Sequence, residues 1–110
     1  MSIAVLITYL EDIVSPGPDY LPLATEDVFA THWLPAAATS NCVWMPLFQS
    51  GAPVPIEDIP TVLDEFRRLR NQFAVVVDGS TKADVRERSA WLIDELEKID
   101  LSTIKSMFIG

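Results

Sequence analysis

Hydrophobic positions in this chain follow two rhythms, one of period two and one of period between three and four. From Ser2 to Leu10 (SIAVLITYL) apolar side chains occupy both alternating faces, the pattern of a strand buried in the middle of a sheet. Glu11 to Leu23 breaks that rhythm with Pro16, Gly17, Pro18 and Pro22, so a loop is expected there. Thr25, followed by Glu26 and Asp27, has the makings of a helix start, with an N-cap hydroxyl and two acids where the helix dipole favours them. Phe29 and Trp33 then fall four apart on one helical face, and Pro35 predicts a kink, or a break and restart through the three alanines that follow.

Cys42 to Phe48 (CVWMPLF) reads as a second strand, and Pro46 assigns it to a sheet edge or a bulge. Gln49 to Pro55 is expected to be loop. A second helix opens at Glu57 or Asp58 with Pro60 in its first turn. Its apolar stripe is Ile59, Val62, Leu63, Phe66, Leu69 and Phe73, and Asp64, Glu65, Arg67, Arg68 and Asn71 are expected to face outward. Phe73 to Val77 (FAVVV) suits either the end of that helix or a strand, with a turn at Asp78-Gly79. Thr81 then caps a third helix that buries Val85, Ser89, Leu92, Leu96 and Ile99 and turns Glu87, Asp94, Glu97 and Lys98 outward. Trp91 and Ile93 flank that stripe on opposite sides. Ile104 to Ile109 closes the chain as a short strand. The expected fold is α/β in the α+β sense: one compact domain over residues 1–110, with two to four strands and about three helices.

Length agrees, since 110 residues can bury roughly two-thirds of the surface the unfolded chain exposes. A 49% hydrophobic and 22% charged composition is that of a globular protein. No apolar run approaches the roughly 20 residues of a membrane span. Ile3 to Leu10 has no cation before it and no cleavage site after it, so it is not expected to be a signal peptide. One cysteine excludes an intrachain disulfide and favours a reducing, cytoplasmic location.

Charge changes the picture most. Glu11, Asp12, Asp19, Glu26, Asp27, Glu57, Asp58, Asp64 and Glu65 precede the first cation, Arg67. The part of the chain up to Phe66 carries −9 and the remainder +1, for a net −8. Such a field attracts basic partners and repels nucleic acid and anionic membrane.

Catalytic chemistry finds little support in the residue types. His32 is the single histidine, expected on a helix beside Trp33 in a structural, half-buried role. Cys42 opens an apolar segment with no cation near it, as a buried inert thiol would. One histidine and one cysteine cannot close a zinc site, and no cofactor or metal is expected. The adjacent acid pairs diverge by roughly 100° on a helix and to opposite faces of a strand, so adjacency does not make them a catalytic pair. Glu26-Asp27 and Glu57-Asp58 are explained as helix-start acids. Glu11, Asp12 and Asp19 have no helix to explain them, and they are the strongest candidates for contact with a partner. Tyr20 in the same loop, Glu26 and Asp27, and the flanking Trp91 complete the candidate surface.

Four stretches, ATEDVFATHWLPAA, CVWMPLFQSGAPV, EDIPTVLDEFRRLR and RERSAWLIDELEKI, resemble in order and acidic character the small immunity proteins of bacterial polymorphic-toxin systems. That resemblance implies stoichiometric neutralisation of a cognate toxin, without catalysis, and carries over no site residue. Two rivals stand beside it: a carboxylate-based enzyme or ligand-binding domain working near His32, and a self-assembling homo-oligomeric subunit.

Overall fold

The computed structural model describes residues 2–14, 16–74 and 80–110. Strand β1 (Ser2–Tyr9) pairs antiparallel with β2 (Tyr20–Thr25) on one side and with β4 (Ile104–Ile109) on the other, and β4 pairs with β3 (Ala52–Val54). The four-stranded order is β2-β1-β4-β3. The fold is α+β with β1 central, as expected, but β1 is not buried on both faces as its doubly apolar pattern predicted: Leu6 and Thr8 stand exposed.

Two segments expected to be loop are strands. Tyr20–Thr25 pairs with β1 despite Pro22, and Ala52–Val54 pairs with β4 despite Pro53. Both lie at the margins of the sheet, where a missing N–H costs no ladder bond. Cys42 to Phe48, in contrast, is not a strand. Met45–Gln49 forms a 3-10 helix with Pro46 in its first turn, where a proline ring is tolerated.

One face of the sheet is covered. Ile3, Val5, Ile7, Leu21, Leu23, Val54, Met107 and Ile109 are buried beneath the helices. The opposite face carries a row running straight across all four strands, Tyr20, Leu6, Phe108 and Pro53, each exposed.

Helix α1 (Glu26–Val28) begins as expected: the Thr25 hydroxyl accepts the Val28 N–H at 3.2 Å. A π-turn over Phe29–Trp33 leads into α2 (Leu34–Thr39), with the Leu34 N–H bonded to the Phe29 carbonyl. The wider turn is how the chain accommodates Pro35, whose ring would strike the Thr31 carbonyl in a regular α-helix. It also turns Phe29 and Trp33 into the core together, with ring centroids 6.2 Å apart. Helix α2 ends in a Schellman turn. Asn41, at φ 56°, gives its N–H to Ala38, and Cys42 gives its N–H to Ala37.

Helix α3 (Ile59–Ala74) buries its whole predicted stripe from Ile59 to Phe73. Phe66 and Phe73 meet Trp33 edge-on, with centroids 6.4 and 5.3 Å away. Helix α4 (Ser80–Glu97) packs against α3 and buries Val85, Ser89, Leu92 and Leu96. Ile93, expected on a flank, is fully buried as well, and Ile99 lies beyond the helix and is half-buried. The alternatives for residues 75–77 and the Asp78-Gly79 turn fall outside what the structure describes, and Thr81, expected to cap the third helix, lies within α4 instead. No helix among the described residues is long and apolar enough to cross a membrane.

Candidate functional site

Strand β2 divides the predicted surface residues between its two ends. At its start stand Glu11, Asp12 and Asp19, all exposed in the loop from β1, with Tyr20 on the open sheet face. This loop is tied to β1 where the Tyr9 hydroxyl donates to the Pro18 carbonyl at 2.6 Å and the Ile7 N–H donates to the Asp19 carbonyl at 2.9 Å. Gly17 makes the Tyr9 contact possible, because a Cβ there would sit 2.8 Å from the Tyr9 oxygen. Burial, followed by the negative charge of Asp19, raises the Tyr9 pKa and keeps the hydroxyl protonated as donor. None of the three acids is ion-paired among the described residues.

At the other end of β2 the acids meet a recess. A cleft of about 610 Å³ opens between Leu23–Thr25, α1 and α4. Leu23, Val28, Trp33 and Val85 give it an apolar floor, and Asp84, Glu87, Arg88 and Trp91 give it a rim. Glu26 and Asp27 lie in the chain between the lining residues Thr25 and Val28. Trp91 thus shares this cleft with Thr25 and Val28, which flank Glu26 and Asp27, while Asp19 stands at the far end of β2, roughly 20 Å along the strand. Trp91 is 37% exposed, and its ring carries the Arg88 guanidinium 4.9 Å from the centroid. Trp33 is held by ring packing alone, since its indole N–H is buried without a partner among the described residues.

His32 lies elsewhere. It is half-buried and lines a smaller cavity of about 230 Å³ with Thr31, Thr39, Gln72 and Phe73. No carboxylate or thiol among the described residues lines that cavity, and none there orients His32 as a base. Cys42 is buried, and its thiol is pushed up to about 11, first by burial and then by the charge of Glu65. No group of three or more His, Cys, Asp or Glu among the described residues could hold a metal ion.

Glu65 is the residue that sequence reasoning misplaced. Expected on the outer face of its helix, it is 1% exposed. Its carboxylate accepts the backbone N–H groups of Val43, Trp44 and Met45 at 3.0 to 3.1 Å. These are the orphan donors at the start of the 3-10 helix, and a carboxylate satisfies all three at once. Arg68, one turn further along α3, donates to the Ser40 carbonyl at 2.8 Å and ties down the preceding turn. A signal did exist: Glu65 follows Val62 by three positions and precedes Leu69 by four, which puts it on the flank of the buried stripe. Compared with family models, curated proteins and solved structures, the chain matches none of them.

Proposed function

We propose that this protein is a non-catalytic binding module that neutralises a basic protein partner, acting as an immunity protein toward a cognate toxin in the bacterial cytoplasm. The observation that carries the reading is the division of labour among carboxylates. The interior one, Glu65, is saturated by backbone N–H groups, and the exposed ones at both ends of β2 have no cationic partner among the described residues. His32, the residue an enzyme reading needs, faces a cavity without an acid or a nucleophilic thiol among its described lining. An inhibitor needs unneutralised surface charge for steering and an exposed aromatic for anchoring, and both are present at β2 and α4. Nucleic acid and anionic membranes would be repelled by the same field.

Affinity capture from the native cell, washed at low and then high salt, tests the proposal. The expected outcome is one basic protein at near-equal stoichiometry, released by salt, toxic when expressed alone and harmless when this chain is co-expressed. Return of only the chain itself, or of partners whose activity it leaves untouched, overturns the reading.

A further inference from the structure

Resting on that reading, we infer that the cleft between α1 and α4 is the receptor for a single basic side chain of the partner protein, arginine in preference to lysine. Three independent features meet there. The floor of Leu23, Val28, Trp33 and Val85 is apolar and suits a methylene stem, which long cationic side chains bury readily. The rim is negative. Asp84 and Glu87 line the cleft, Glu26 and Asp27 adjoin it, and none of the four is ion-paired with a described residue.

The third feature is Trp91, whose ring already attracts a guanidinium. Arg88 stands 4.9 Å from its centroid from three positions away on the same helix, an internal occupant of the kind of contact the partner would make. A planar guanidinium can stack on the indole while bonding to carboxylates at its edge, whereas an ammonium can do only one of these well. An anionic ligand would meet Asp84 and Glu87, with Glu26 and Asp27 adjoining, against one lining cation, Arg88, among the described residues. A purely apolar one would leave the rim acids unneutralised.

The test needs no knowledge of the partner. The probe is N-acetyl-arginine amide, with the lysine, norleucine and glutamate analogues as comparators. The readout is the indole N–H resonance of Trp91, assigned with a Trp91→Phe variant among the three tryptophans. Arginine is expected to give a saturable shift at millimolar concentration, lysine a weaker one and glutamate none. Asp84→Asn with Glu87→Gln should weaken arginine binding about fivefold. Arg88→Ala, by vacating the ring, should tighten it about threefold, a gain that a merely structural arginine would not give.

Equal responses to norleucine and arginine would overturn the assignment in favour of an apolar receptor. No saturable shift with arginine would overturn it outright. A silent cleft in a protein that still neutralises its partner counts against this inference alone. An intact arginine response without neutralisation counts against the inhibitor reading alone.

Discussion

Glu65 and Asp19 are carboxylates of one chain in opposite settings. The first lies sealed beneath the 3-10 helix with three backbone N–H groups on it, and the second stands in water at the head of β2. Removing the first exposes a structural need, because three backbone donors lose their acceptor and that of Met45 is buried away from water. Removing the second exposes none. A carboxylate that the fold does not use remains available to a partner, and the same comparison separates the two ends of β2. Charge in open loop steers an approaching molecule, while charge around an apolar recess can also hold it.

The largest expected effect breaks the interior side of the comparison. Glu65→Ala should cost about 3 kcal/mol, since it removes the acceptor of three backbone N–H groups, that of Met45 fully buried. That lowers the melting temperature by about 10 °C or more in a domain of this size. A melting curve within a few degrees of the parent would show that the clasp is dispensable. Next comes the cleft: Trp91→Ala should weaken partner binding about tenfold or more, chiefly through faster dissociation, with little change in melting temperature. An unchanged dissociation rate would remove Trp91 from the interface.

The loop acids should give a smaller and different signature. Neutralising Glu11, Asp12 and Asp19 together should slow association by a few-fold and flatten its salt dependence, leaving thermal stability nearly unchanged. Unaltered kinetics across salt concentrations would exclude that loop from contact.

The mildest test concerns the thiol beside Glu65. With Cys42 raised to about 11 from an ordinary 9.0, the unfolded chain loses its thiol proton first as pH rises. Its contribution to stability is therefore complete below pH 9 and declines as pH climbs toward 11. Cys42→Ser should lessen that decline in denaturant titrations. At pH 8 the native thiol should react with iodoacetamide about a hundredfold more slowly than the denatured one.

Much of this architecture could be read from the chain because local and tertiary preferences agree. The stripe of α3, the Thr25 cap and the central place of β1 in the sheet each have one interpretation, and the fold adopts it. The misreadings share a cause. Pro22, Pro53 and Pro46 all argue locally against regular pairing, but the outcome depends on whether a neighbouring strand lies on the N–H side. That depends on the whole sheet and on no single segment. The cleft was invisible for the same reason: Trp91 is distant in sequence from Leu23 and Val28, and only the packing of α4 near β2 brings them together. The charge asymmetry named Glu26 and Asp27 as partner candidates. It could not separate them from Glu11 and Asp12, because charge counting carries no distances.

The strand order has a consequence for how the molecule is made. Strands β1 and β2 are joined by a short loop and can pair as soon as both have left the ribosome. Strand β3 has no such opportunity. Its one partner among the described residues is β4, which is synthesised some fifty residues later and then inserts between β1 and β3. Until that happens the middle of the sheet is missing, and the apolar stripe of α3 has half a surface to pack on. A nascent chain stalled before Ile104 should therefore be a chaperone client and a protease substrate, and it should become resistant when the final strand emerges.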